Sequence, residues 1–174
     1  HIIRNIKPDV ILTFDPIGGY RHPDHIAVHQ ATVLAFELAA QPGSYEDPGS
    51  LPSFKAERLY FHVINRTFLK ASILTLRLLG QDPRQFGKNK DIDLLSIAEQ
   101  DFPTHVCVNY TQVAKLQAQA AACHASQGGG KMNKGLRGLI NALFLRKVDQ
   151  FMQAYPAVEG KSACKRDLFA GLNP

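Results

Sequence analysis

Between residues 18 and 29 the chain reads GGYRHPDHIAVH, which gathers Tyr20, His22, Asp24, His25 and His29 into one short stretch. These side chains suit metal binding and proton transfer. Neutral imidazole is a good zinc ligand, imidazole also carries protons near neutral pH, and carboxylate and phenol groups orient or assist it. His22 and His25 are three positions apart and His25 and His29 four, so a helix would bring each pair to one face. Taken singly, the residues also read as an ordinary helix start. Pro23 fits the first helical position, which makes His22 the N-cap, and Asp24 complements the helix dipole. Taken together, so many titratable groups just after a buried strand and a Gly-Gly turn point to a functional site. His29 is the weakest member, since one turn further along it could simply pack or face solvent.

The surrounding elements have to place that stretch. Residues 9–15 form an almost unbroken apolar run ending at Asp15-Pro16, the pattern of a strand buried on both faces of a parallel sheet. Ahead of it, residues 1–7 resemble the end of a helix closed by Pro8. From Pro23 the period becomes helical, with Ala27, Ala31, Leu34, Ala35 and Leu38 recurring along one face until Gln41-Pro42-Gly43 stops it. A polar loop over 41–53 leads to a second strand at 58–64, completing a strand, helix, strand crossover. Ligands of such sheets bind beyond the carboxyl ends of the strands, which is where residues 15–25 fall.

Further on, the sequence predicts a helix over 67–79, a basic loop over 80–90 and, taking 66–103 as a whole, an insertion. A strand follows at 104–109. A helix then runs from Thr111 to about Gln127, ended by Gly128-Gly129-Gly130. A last helix is expected over 136–155, stopped by Pro156, before an irregular tail.

At 174 residues, 45% hydrophobic and 20% charged, the chain has the balance of one globular domain spanning 1–174. The net charge of +5 is spread over Lys55 to Lys90 and Lys131 to Lys147 without interleaved aromatic residues, which predicts a solvated surface and no nucleic-acid partner. No apolar stretch approaches the length of a membrane span. Cys107, Cys123 and Cys164 are far apart with no close pair, so neither a disulfide framework nor a cysteine zinc site is expected, and a reducing, cytoplasmic setting is the simplest reading. Cys123 reads as an inert thiol, and His62 and His105 as packed or capping residues.

Residues 8–31, PDVILTFDPIGGYRHPDHIAVHQA, closely resemble the second signature of the LmbE-like, or PIG-L, zinc-dependent de-N-acetylases. KLQAQAAACHASQ at 115–127, FMQAYP at 151–156 and DLFAGL at 167–172 resemble later family segments in the right order. The resemblance implies an α/β, Rossmann-like three-layer sandwich with a mainly parallel sheet. It further implies hydrolysis of an N-acetyl group from a small amino-sugar conjugate of the N-acetylglucosamine type. In that scheme His25 binds Zn2+, His22 protonates the departing amine, Tyr20 helps hold the substrate and oxyanion, and Asp24 orients the histidines. Gly19 in the turn and His124 in the family-like His-Ala-Ser-Gln are expected at the substrate. The family's early His-Pro-Asp-Asp motif, which carries further zinc ligands, has no counterpart ahead of Asp9. The chain is therefore expected to be a C-terminal portion lacking N-terminal strands, with weak zinc affinity alone. Two other readings stay open: a metal-dependent phosphoesterase using His22, His25 and His124, and a non-catalytic homologue that binds a sugar conjugate or a partner. Association into homo-oligomers is also open.

Overall fold

The computed structural model describes residues 1–43, 51–87, 89–124, 147–160 and 163–172. Helix α1 (Ile2–Ile6) leads through Pro8 into β1 (Val10–Phe14). A kinked turn of helix, α2 (Gly18–Arg21), and the long α3 (Pro23–Ala40) return the chain to β2 (Arg58–Val63). β2 lies parallel to β1, with Phe14 beside His62 at the strand ends, so the expected crossover forms. Then come α4 (Arg66–Leu78), a 3-10 turn at Pro83–Gln85, α5 (Leu94–Ala98) and β3 (Val106–Asn109). A second 3-10 turn at Thr111–Val113 opens α6 (Ala114–Cys123), and β4 (Val148–Tyr155) is the last strand.

The four strands run in the order β1-β2-β4-β3. Among the described residues only strands β1 and β2 pair in parallel, because β4 inserts antiparallel to both β2 and β3. The fold is α/β with a mixed sheet, and the mainly parallel sheet expected from the sequence is corrected accordingly. The same strand overturns the helix expected over 136–155. Residues 136–146 lie outside the described residues, but 148–155 is extended. Val148, Phe151, Met152 and Tyr155 do recur at helical spacing. They are also β-branched, aromatic or long side chains that suit a strand, and with both faces of β4 partly covered the period-two signal is blurred.

Helix α3 also turns differently from the face expected for it. Phe36 and Ala39 are buried, Val33 packs with Phe36 against Leu59 and Phe61 of β2, and Leu34 is 56% exposed. The face turned to the sheet carries His22, His25 and His29 at its other end, each half-buried, while Ala27, Ala31 and Ala35 face out. On the other face of the sheet Tyr60, Val106 and Phe151 form a second cluster. There burial pushes the Tyr60 pKa up against the opposing pull of Arg58, and its hydroxyl donates to Leu168 O at 3.0 Å.

The segment read as an insertion builds a core of its own. Leu69, Ile73 and Leu76 of α4 and Leu94 and Ile97 of α5 are buried together, with Ile17 packed against them. Cys107 and Cys164 are joined in a disulfide, which ties β3 to the C-terminal segment and corrects the expectation of unpaired cysteines. It also removes the ground on which a reducing compartment was read. Cys123 is free and exposed. Among the described residues no helix is long and apolar enough to cross a membrane.

Candidate functional site

The site begins where β1 ends. Asp15 is 2% exposed, its carbonyl accepts Gly18 N–H at 2.9 Å, and its carboxylate Oδ1 accepts Gly19 N–H at 2.8 Å. One buried carboxylate thus satisfies the turn that launches α2. The two glycines serve different needs. Gly18 has φ +66°, and a Cβ there would lie 2.8 Å from both Ile26 N and Ile26 Cγ1, so the turn can lean on α3 only without a side chain. Gly19, at φ +67°, has open space around it.

From that turn Tyr20, His22 and His25 come together. The Tyr20 ring stands edge-on to His22 at 5.6 Å and to His25 at 5.2 Å between centroids, and the two imidazoles are 4.8 Å apart. The reverse face of His25 stacks on Phe14 at 3.9 Å, so a strand-end aromatic backs the ring.

Hydrogen bonds sort the two imidazoles. His25 Nδ1 lies 3.2 Å from Gly18 O; a carbonyl only accepts, so Nδ1 carries the proton and Nε2 presents a lone pair. A backbone carbonyl holding one ring nitrogen while the other is offered outward is the arrangement of metal-binding histidines. His22 is the opposite case. Its Nδ1 accepts the backbone N–H of Asp24 at 3.2 Å as the N-cap of α3, so the neutral ring carries its proton at Nε2. Side by side, one ring offers a lone pair and the other a proton.

Asp24 acts on His22 through its backbone N–H. Its carboxylate is 87% exposed and 3.9 Å from His22 Nδ1, which makes it a distant field in water and no direct bond. His29 is occupied structurally: Nδ1 donates to Phe14 O at 2.7 Å and the ring meets Phe61 edge-on. His124 caps the exposed end of α6, and the ring contacts that unite Tyr20, His22 and His25 do not include it. His105 is buried and accepts Gln153 N–H at 2.9 Å, while His62 packs on Phe151 with Nε2 3.9 Å from Asp149. His105 fits the packed or capping reading, whereas the His62 side chain is 47% exposed and touches the core along Phe151.

Among the described residues no three His, Cys, Asp or Glu side chains gather as a metal-holding group. The residues present therefore fit one zinc ligand, His25, and not a whole zinc site. A cleft of about 280 Å³ at the end of β2 is lined by Asn65, Arg66, Asp101, Phe102, Thr104 and Gln150. A small cavity sharing Arg66 and Phe102 with it reaches Asp15 and Gly19.

Sequence reasoning missed Arg21 and Ser96. Arg21 adopts φ 64°, and its Nε donates to Ser96 Oγ at 3.1 Å while Nη2 donates to Ser96 O at 3.2 Å. A positive φ on a non-glycine residue leaves no mark in a single sequence, and a partner 75 positions away leaves none either.

Residues 1–36 match the family model PIG-L, GlcNAc-PI de-N-acetylase, a span that contains Asp15, Tyr20, His22 and His25. The chain is 32% identical over 178 residues to a 1D-myo-inositol 2-acetamido-2-deoxy-alpha-D-glucopyranoside deacetylase of Rhodococcus erythropolis, an alignment covering 99% of this chain and 57% of that protein. A deacetylase of the same name from Streptomyces avermitilis is 31% identical over 177 residues, with 99% and 57% covered. The chain thus spans somewhat more than half the length of these relatives. In fold it is similar to a conserved protein of Thermus thermophilus known from its crystal structure, at a TM-score of 0.51 and 18% identity, covering 92% of this chain and 59% of the other. Over residues 1–36 the chain is thus similar to the PIG-L family, and along nearly its whole length to these deacetylases.

Proposed function

We propose that the chain carries one half of the active site of a zinc-dependent hydrolase that removes an N-acetyl group from a small amino-sugar conjugate. The observation that carries this reading is the pairing of His22 and His25, two adjacent imidazoles fixed in opposite tautomers. Amide hydrolysis needs both a metal ligand and a proton donor for a poor leaving amine. His25 supplies the ligand atom at Nε2, and His22 serves as acid in its imidazolium form, giving the Nε2 proton to the departing amine and reverting to the neutral ring. Tyr20, edge-on to both rings, is the hydroxyl that can donate to oxygen as negative charge develops there. Zinc, when bound, supplies Lewis acidity and a water of lowered pKa. Its other ligands would come from outside these residues. The relatives' printed substrate, an acetamido sugar joined to inositol, supports the conjugate class, and the cleft lined by Arg66, Asp101 and Gln150 offers polar groups for its hydroxyls.

The test is a pair of substitutions in the intact protein. His25→Ala should remove bound zinc and acetate release together, whereas His22→Ala should retain zinc and lose turnover. Equal metal loss in both would sink the division of roles. Among the described residues His124 stands outside any group of three metal-binding side chains, so the phosphoesterase reading gains no support.

A further inference from the structure

Tyr20 sits on a span anchored at both ends to the same helix pair. At one end Ile17 packs against the α4/α5 core, and at the other the Arg21 guanidinium grips Ser96 of α5 through two hydrogen bonds. Ser96 is itself fixed, since its hydroxyl donates to Asp93 O at 3.0 Å and its N–H to Asp93 Oδ1 at 3.2 Å, within a helix held by buried Leu94 and Ile97. Arg21 makes this grip from the left-handed backbone region, φ 64°, which a residue with a side chain enters reluctantly. Glycine would adopt that conformation freely but could make no grip. His22 has its own restraint as the N-cap of α3, and Tyr20 has none of that kind.

We propose that Arg21 is a positioning residue for Tyr20: its grip on Ser96, opposite the seat of Ile17, holds the phenol edge-on to His22 and His25. This gives α5 a part in the site, although no residue of α5 belongs to the His-Pro-Asp-His motif. The kinetic arm of the test rests on the deacetylase reading above, and the spectroscopic arm does not.

The discriminating variant is Arg21→Gly, which relieves the backbone and removes the grip at once. In the intact protein, assayed on 1D-myo-inositol 2-acetamido-2-deoxy-alpha-D-glucopyranoside, kcat should fall about 10-fold with KM within about two-fold and an unchanged melting temperature. Combined with Tyr20→Phe, it should add little to the loss from Tyr20→Phe alone, because the two act through one group. Ser96→Ala, which removes one of the two acceptors, should give a smaller fall. Wild-type kcat in Arg21→Gly, or losses that multiply with Tyr20→Phe, would overturn the proposal. In the second arm, tyrosine-ring NMR with Tyr20 assigned by Tyr20→Phe should show the Tyr20 signal losing its imidazole ring-current shift in Arg21→Gly while buried Tyr60 stays put. An unmoved Tyr20 signal overturns the proposal by itself. An intact protein without deacetylase activity would refute the functional reading, and this arm would still decide the positioning.

Discussion

Helices α3 and α4 both begin just beyond the carboxyl ends of the two parallel strands, and they begin with different chemistry. α4 is capped by Asn65, whose Oδ1 accepts Phe68 N–H at 3.0 Å, and asparagine is among the best N-cap residues. α3 is capped by an imidazole, at 3.2 Å, which is not among the favoured caps. Below the cap, α4 buries Leu69, Ile73 and Leu76, whereas the first turns of α3 turn His22, His25 and His29 toward the sheet. Helix stability explains the start of α4 and leaves that of α3 unexplained. The histidine cap has a further property: it accepts only while Nδ1 is unprotonated, so a second proton on His22 would be gained at the expense of the helix end.

The sharpest way to break this contrast is His22→Asn in the intact protein. Turnover should fall by about 10² to 10⁴-fold, the usual scale for losing a general acid, while the melting temperature holds or rises because asparagine caps better. A variant that loses stability but keeps turnover would make His22 a mere cap. Next in size is Gly18→Ala, which strains a positive φ and pushes a methyl group into Ile26; it should cost roughly 2–3 kcal/mol in denaturant unfolding. Asn65→Ala should cost about 1 kcal/mol and leave turnover per folded molecule intact, marking that helix start as structural. Smallest is His29→Leu, which removes the bond to Phe14 O and should cost about 1 kcal/mol or less, with turnover within about two-fold. If His29→Leu abolished turnover, the boundary drawn between the working and the packing histidines would be misplaced.

How far the sequence could be read follows the same line between local and distant causes. β1, α3 with its His22 cap and Pro23 start, β2 and the helix after Arg66 were legible, because apolar runs, caps and proline act within a few residues. The gathering of Tyr20, His22 and His25 was legible for the same reason. The strand at 148–155 was not. Its place between β2 and β3 is decided by partners far along the chain, and its apolar residues satisfy two periods at once. The buried face of α3 was misread because alanines at regular spacing looked like a core stripe, while the true stripe joins Val33, Phe36 and Ala39 to three histidines that hydropathy counts as polar. The Cys107–Cys164 pair depends on β3 lying beside the C-terminal segment, where Lys165 bonds to both His105 and Cys107.

Arg4, 4% exposed, donates from its guanidinium to the carbonyls of Leu38, Ala39 and Gln41 at the C-terminal end of α3. With 18 residues, α3 is a rod about 27 Å long whose opposite end carries the imidazoles. A rod amplifies tilt: about 2° at the Arg4 end corresponds to roughly 1 Å at the histidines, a misplacement on the scale that costs an enzyme about 10²-fold. The short helix ahead of β1 is thus the trim adjustment of a site it never touches.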